Sequence, residues 1–273
     1  MTLDLINKQM IARSFGKAAP TYDSVAHFQR WVGEGLLSRI PDIDARRILD
    51  LGCGTGHFLP DLHNRFPDAE LIGLDLSEQM LQFARKQCPE TKVQWLLGDG
   101  ESLPLKNHSV DLIFSSLSIQ WCGNLGSLFG EIERVLSDRG VFVFTSLLDG
   151  TLAELKTAWA KVDDAQHVNE FAELQDYQRA IDASGLSVDC LASELRVLPY
   201  SSVNALTREL KKLGAHNMTP HRVTHVTGRE RVRQFLAAYD AFRLNDGRFP
   251  ATYNVLWGGV SKNRANNKSE TVL

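Results

Sequence analysis

The chain has 273 residues, 43% of them hydrophobic, and a formal net charge of −3. It is long enough to bury a sizeable core, and its weakly acidic balance argues against a general nucleic-acid-binding protein. No apolar run approaches the roughly 20 residues that span a bilayer, and the N-terminal segment lacks the pattern of a signal peptide, so we expect neither membrane insertion nor export. The four scattered cysteines lack the paired spacing of zinc or redox motifs and favour reduced thiols in a cytoplasmic protein.

Apolar runs alternate with amphipathic segments over the first 150 residues. Strands are predicted at 46–51, 69–75, 92–97, 110–117 and 141–147. Helices are predicted between them at 57–66, at 78–88 with Ser77 as N-cap, and at 125–136, which ends before a turn at 138–140. This alternation predicts a parallel sheet with helices on both faces.

The pattern changes after Gly150. We expect helices at 151–162 and 174–185, a strand at 186–198, a mostly helical insertion at 202–240 and a last strand at 249–260. The polar end of the chain is expected to be disordered.

The first strand runs into the glycine-rich turn Asp50-Leu51-Gly52-Cys53-Gly54-Thr55-Gly56. A phosphate-binding loop is excluded because Gly56 is not followed by Lys and Ser or Thr. A dinucleotide fingerprint that begins at Gly52 has His57 in place of its third glycine, so an NAD or FAD site remains only as a relaxed form of that pattern. Alternating glycines let the main chain pass close to a ligand, and the Asp50 carboxylate suits a cationic amino acid better than an anion.

Two further acids follow the next strands. Asp75 ends the second strand, where a carboxylate can accept both hydroxyls of a ribose. Asp99 follows the third strand, with Gly100 and Glu101 beside it, at a position suited to reading an adenine amino group.

These features resemble the class I S-adenosylmethionine-dependent methyltransferases over about residues 45–147. The resemblance implies a Rossmann-like α/β fold with a mostly parallel seven-stranded sheet flanked by helices. It also implies S-adenosyl-L-methionine as the cofactor. The implied cofactor-binding residues, of which Leu76 and Met80 would contact the adenine, are Tyr22, Gln29, Asp50, Gly52, Cys53, Gly54, Gly56, Asp75, Leu76, Met80, Asp99, Gly100, Glu101 and Ser115.

Three segments extend the resemblance to the malonyl-acyl-carrier-protein O-methyltransferases of biotin synthesis. They are the AxxFGKAAxxYD pattern at 12–23, the run LSIQWCGNL at 117–125 and LKKLGAHN at 210–217. The family implies methylation of the free carboxylate of a malonyl thioester on acyl carrier protein or coenzyme A. The carboxylate is already ionised at neutral pH, so no acid or base catalyst is expected. The candidates for orienting the acceptor are Tyr22, Gln120, Trp121 (equally readable as a core aromatic) and Arg222.

The same reading divides the chain into four parts. Residues 1–44 would form a helical cap over the cofactor, and 45–200 with 241–262 the methyltransferase core. Residues 201–240 would form a helical lid inserted before the last strand, and 263–273 a disordered tail.

The predicted lid is basic. From Arg196 to Arg233 there are eight basic and two acidic residues, a net charge of +6 that leaves −9 for the rest of the chain. Apolar stripes are predicted at Leu206, Leu210 and Leu213 on one helix and at Val232, Phe235, Leu236 and Tyr239 on the next. Docking of an acidic carrier protein is expected on the opposite faces, at Arg208, Lys211, Lys212, Arg229 and Arg233, although solvated helix faces look the same in sequence.

Other functions remain open at this point. Pro220 interrupts the spacing of His216, His221 and His225, so no metal site is expected there. A small-molecule methyltransferase that acts on a quinone ring carbon or a free carboxylic acid would carry the same cofactor motif. A non-catalytic scaffold that only binds the cofactor, or an NAD oxidoreductase, would be further alternatives.

Overall fold

A computed structural model describes residues 8–215 and 228–262. The chain begins with two helices, α1 (Lys8–Tyr22) and α2 (His27–Leu37). An alternating β/α unit follows, with elements β1 (Arg47–Leu51), α3 (Leu59–Arg65), β2 (Glu70–Asp75), α4 (Glu78–Gln87), β3 (Val93–Leu97), β4 (Val110–Ser115), α5 (Leu125–Val135) and β5 (Leu136–Leu147). The remainder comprises α6 (Ala153–Ala160), α7 (Leu174–Ser184), β6 (Ser187–Tyr200), α8 (Val203–Lys212), α9 (Arg229–Tyr239) and β7 (Phe249–Ser261).

The strands form one seven-stranded sheet in the order β3-β2-β1-β4-β5-β7-β6. The first five strands are parallel, and β7 is antiparallel to both β5 and β6. This is the class I methyltransferase fold, as the glycine turn and strand spacing predict. Apolar clusters cover both faces of the sheet, which is why the central strands β1 and β4 are almost continuously apolar and buried.

The topology determines where a ligand can bind. The chain order reverses between β1 and β4, which lie side by side although two other strands separate them in sequence. In open α/β sheets the crevice outside the carboxyl ends of the strands at such a switch point is the usual ligand site. The glycine turn after β1 and the acids after β2 and β3 all lie at this edge.

The N-terminal helix α1 packs against α4 and α8. Two hydroxyls of α1 bind main-chain carbonyls at the end of α8: Ser14 Oγ donates to Gly214 O at 3.0 Å, and Thr21 Oγ1 donates to Lys212 O at 3.0 Å. These bonds join segments about 200 residues apart and hold α1 and α8 at the same edge of the sheet as the switch point.

Several predicted boundaries and contacts were wrong. Strand β5 begins at Leu136, directly after α5, so the expected turn at 138–140 belongs to the strand, with Arg139 at φ 70°. Strand β4 ends at Ser115, two residues earlier than predicted. In α9, Phe235 and Tyr239 are buried as expected, but Val232 is 37% exposed and does not belong to the packed stripe.

Other local predictions were confirmed. Ser77 Oγ accepts a hydrogen bond from Met80 N and caps α4. Gly185 ends α7 in the left-handed conformation. Within residues 8–215 and 228–262, no helix is long and apolar enough to cross a membrane. The expected tail at 263–273 lies outside the described residues.

Candidate functional site

The glycine turn makes three left-handed steps, at Gly52, Gly54 and Gly56, with φ of 75°, 54° and 80°. The main-chain N–H groups of Gly52 and Cys53 donate to Leu74 O at 2.7 and 3.0 Å, which fixes the turn against β2. A Cβ on Gly52 would lie 1.8 Å from Ser118 Oγ, whereas a Cβ on Gly54 would meet no atom within 4 Å. Gly54 therefore faces open space at the edge of the sheet, where a ligand can approach the main chain.

Two adjoining cavities lie along this turn, and we call them together the glycine-turn cleft. The larger, of about 110 Å³, runs past Asp75 to Asp99 and is roofed by Ile11 and Phe15 of α1. The smaller, of about 50 Å³, lies between Asp50 and α2. Tyr22, Gly52, Gly54 and Ser116 line both cavities.

Asp50 is buried at the closed end of the cleft. Its Oδ2 accepts no hydrogen bond from any described residue, and the same is true of Gln29 Oε1, which lines the same small cavity. Burial, and then the nearby charge of Asp75, raise the pKa of Asp50 to about 8. A buried carboxylate and a buried amide oxygen without donors make a site that favours a cation with several N–H groups.

Asp75 lies at the end of β2, and the turn already uses its oxygens. Oδ2 accepts from Gly54 N at 2.9 Å and Oδ1 from Ser77 N at 2.7 Å. Burial raises its pKa, although the hydrogen bonds from Ser77, Gly54 and Leu76 oppose that shift. The carboxylate therefore joins the glycine turn to the start of α4.

Lys8 lies over the far end of the cleft. Its Nζ contacts Asp99 Oδ2 and lies 2.9 Å from Glu101 Oε2. Glu101 Oε1 accepts from Gly123 N at 2.6 Å, which ties the loop before α5 to this end of the site. The segment after β3 is thus anchored both to α1 and to the loop before α5.

A second, larger cavity of about 460 Å³ adjoins the cleft, and we call it the lateral cavity. It shares Phe15, Tyr22, Leu117 and Trp121 with the larger part of the cleft. The Phe15 and Trp121 rings meet edge to face with centroids 5.3 Å apart. Tyr22 lines all three cavities, so it marks the point where the cleft and the lateral cavity meet.

Most of the residues predicted to bind a cofactor come together along the cleft. They are Tyr22, Gln29, Asp50, Gly52, Cys53, Gly54, Asp75, Leu76, Met80, Asp99 and Gly100. Gly56, Glu101 and Ser115 do not line it. Gly56 faces the side chains of Ala84 and Cys88, Glu101 is engaged as described above, and fully buried Ser115 donates to Leu51 O at 2.7 Å. Their predicted contacts with a ligand are therefore replaced by structural ones.

Of the predicted acceptor residues, Tyr22, Gln120 and Trp121 line the lateral cavity. Gln120 is held in place by donating from Nε2 to Leu117 O at 2.6 Å. Arg222 lies outside the described residues, as do His216, His221 and His225.

The sequence analysis missed three groups of lining residues. Lys8 and Ile11 lie one and two turns before the segment that carried the resemblance, and the apolar spacing of α1 was the available signal. Residues 166–171 line the lateral cavity from a loop without a motif, and Tyr253 reaches it from β7.

The predicted docking residues are all exposed. Arg208, Lys211 and Lys212 lie on α8, whose Val203 and Leu206 face the core. Arg229 and Arg233 lie on α9, where Arg233 is paired with Glu230 at 2.8 Å. The side chain of Leu210, between these charges, lines the lateral cavity, so the basic face of α8 is next to that cavity.

Comparisons with known proteins bear on the function of this arrangement. A methyltransferase domain family model matches residues 49–144, which include the glycine turn and the first five strands. The malonyl-acyl-carrier-protein O-methyltransferase of Methylococcus capsulatus is 40% identical over 262 residues, covering 95% of each chain. The chain belongs to this family.

Other relatives differ in length. The biotin biosynthesis bifunctional protein BioHC of Cellvibrio japonicus is 44% identical over 92% of this chain, but this chain spans only 50% of that protein. The YcgJ protein of Bacillus subtilis has a similar solved structure, with a TM-score of 0.61, 20% identity, and coverage of 86% of this chain and 100% of that one. Its likeness concerns the fold. The chain is a methyltransferase, and its cofactor is S-adenosylmethionine.

Proposed function

We propose that this chain transfers the methyl group of S-adenosylmethionine to the free carboxylate of a malonyl thioester carried by acyl carrier protein, a step of biotin synthesis. The observation that carries the proposal is the similarity to a relative of that name over 95% of both chains. The site supports it, because a neutral cavity adjoins the cofactor cleft at Tyr22. A thioester substrate requires such a second cavity beside the cofactor.

The cleft residues fit the charges of the cofactor. Asp50 Oδ2 and Gln29 Oε1, which lack hydrogen bonds to described residues, would accept from the ammonium of its methionine part. Asp75 would hold the ribose, with its carboxylate already oriented by Gly54 N and Ser77 N. Asp99, with Leu76 and Met80, would surround the adenine. When bound, the cofactor supplies an electrophilic methyl group on a sulfonium.

The acceptor side requires no proton transfer. A simple carboxyl group has a pKa of about 4, so it is already a nucleophile at neutral pH. Burial, and then the charges of Asp23 and Asp75, raise the pKa of Tyr22 well above its usual value, so its phenol stays protonated and can donate to an acceptor oxygen. Gln120 and Trp121 would shape the cavity at the same point. The work of these residues is to hold the carboxylate in line and to exclude water that would solvate it.

Acyl carrier protein is the proposed partner, and the basic face of α8 and α9 would be its docking surface. Arg208, Lys211 and Lys212 are exposed next to the lateral cavity, which suits an acidic protein that delivers a thioester into it. The four cysteines are free thiols, in keeping with a cytoplasmic location.

The test is transfer of labelled methyl from S-adenosylmethionine to purified malonyl-acyl carrier protein, with malonyl-coenzyme A and free malonate as parallel acceptors. We expect carrier-dependent labelling that mild base releases as methanol, which identifies a methyl ester. Labelling of free malonate with equal efficiency would favour a small-molecule methyltransferase. Intact cofactor binding without labelling of any malonyl compound would refute the proposed acceptor.

A further inference from the structure

The lateral cavity has an unusual charge distribution for a site that receives an anion. Its described lining residues include no lysine, arginine, aspartate or glutamate. His167 is the one side chain among them that can carry a positive charge. A carboxylate that leaves water for such a cavity needs a cationic or hydrogen-bonding partner there.

His167 is held by a buried acid. Its Nε2 lies 2.7 Å from Asp163 Oδ1, and the two side chains are only 12% and 16% exposed. Burial opposes ionisation of Asp163, but the hydrogen bonds from His167 and from Ala165 N and the charge of Arg231 outweigh it, so the pKa of Asp163 lies below its usual value. An ionised carboxylate can only accept, so Nε2 carries a proton.

The other ring nitrogen remains for a ligand. Nδ1 of His167 forms no hydrogen bond with another residue in the described ranges. Because the residue lines the cavity, Nδ1 is the polar atom that it can offer to an occupant. In the imidazolium form Nδ1 is a donor, and Asp163 neutralises the added charge from the opposite side of the ring.

Aromatic stacking fixes the plane of the ring. His167 lies parallel to Trp159, with centroids 3.8 Å apart and planes at 9°. Trp159 stacks in turn on Phe235 of α9, at 4.2 Å and 12°. An indole face favours a cation stacked on it, so the stack both orients the ring and stabilises its charged form.

We propose that His167, oriented by Asp163 and Trp159, binds the free carboxylate of the acceptor in the lateral cavity by donating from Nδ1. This inference rests on the proposed function, since it assumes a malonyl thioester as the acceptor. Asp163 is a positioning residue that acts through His167. The interaction would select dicarboxylate thioesters over simple acyl thioesters, which lack the anionic end.

The test compares malonyl-acyl carrier protein with acetyl-acyl carrier protein, which differ only by the carboxylate. Binding of each is measured by calorimetry to protein saturated with S-adenosylhomocysteine, so that no turnover occurs. We expect wild-type protein to prefer the malonyl carrier about 10- to 100-fold, the range of a charge-assisted hydrogen bond of ~1.5–3 kcal/mol. In His167→Gln this preference should fall to within about twofold of unity, with acetyl-carrier affinity unchanged.

Two further variants guard against a merely structural effect. Asp163→Asn keeps the shape of the positioning residue but removes its charge, and should lose most of the preference. His63→Gln, on α3 and outside the lateral cavity, should keep all of it.

A preference retained in His167→Gln, or equal loss of both carriers, would overturn the inference while methylation by the wild type still supports the proposed function. If the wild type neither methylates nor prefers the malonyl carrier, the proposed function fails and the inference fails with it.

Discussion

The glycine-turn cleft and the lateral cavity meet at Tyr22 but are built from different chemistry. The cleft carries three carboxylates, Asp50, Asp75 and Asp99, each at the end of a neighbouring parallel strand. The lateral cavity is lined by aromatic, aliphatic and amide side chains from segments far apart in sequence. A ligand with fixed charges can be bound by strand ends, whereas a thioester arm requires a space formed by packing of added helices.

The largest effect is expected at the carboxylate of Asp75. Asp75→Ala removes the acceptor proposed for the ribose and the hydrogen bonds from Gly54 N and Ser77 N. Each hydrogen bond to a charged group contributes ~1.5–3 kcal/mol, so S-adenosylmethionine affinity should fall by about 100-fold or more. Calorimetric titration of the folded variant measures this directly. An unchanged dissociation constant would remove Asp75 from the binding site.

Two glycines separate ligand contact from backbone strain. Gly54 and Gly185 both have positive φ, 54° and 83°, and a Cβ on either meets no atom within 4 Å. Gly54→Ala and Gly185→Ala should therefore lose similar stability, ~1–2 kcal/mol for a left-handed alanine. Only Gly54→Ala places a methyl group in the cleft, and it should weaken cofactor binding about 10- to 100-fold, as an overpacked contact of ~1–3 kcal/mol does. Equal cofactor affinities in the two variants would show that Gly54 serves the turn alone.

The buried acid of the cleft predicts a pH optimum for cofactor binding. With a pKa of about 8, Asp50 holds a proton in the ligand-free protein at lower pH, and this proton must leave before an ammonium can bind. Affinity should rise about tenfold per pH unit towards pH 8, and then fall as the cofactor's α-amino group, with a pKa of ~7.8, deprotonates. Calorimetry in buffers of different ionisation enthalpy should detect proton release below this optimum. Asp50→Asn should lose the rising limb, and a wild-type affinity that is flat with pH would contradict the ammonium assignment.

A smaller effect is expected at the docking surface. Reversal of both charges in Lys211→Glu/Lys212→Glu should raise the KM for malonyl-acyl carrier protein about fivefold at low salt, since rim charges act mainly on association. The KM for the small thioester malonyl-N-acetylcysteamine should not change. Arg85→Glu/Lys86→Glu is the matched control, because it is also an exposed basic pair in the last turn of a helix, on α4 away from the lateral cavity. Equal losses for the two acceptors would indicate a folding defect.

The sequence predicted the cleft much better than the lateral cavity. Asp50, Asp75 and Asp99 follow short apolar strands, and parallel strands necessarily bring their carboxyl ends to one edge. Gly56 and Ser115 satisfy the same pattern but face the protein interior, because a motif does not specify which side of the turn each residue faces. The lateral cavity depends on how α1, α8 and the loop at 166–171 pack together, and no local pattern encodes that arrangement.

The central claim is that the cleft delivers a methyl group to the lateral cavity past Tyr22. A crystal structure of the complex with S-adenosylhomocysteine tests it most directly. We expect the ammonium within about 3 Å of Asp50 Oδ2 and Gln29 Oε1, with the sulfur facing the lateral cavity beside Tyr22. An ammonium bound elsewhere, or a sulfur facing away from the lateral cavity, would contradict the account.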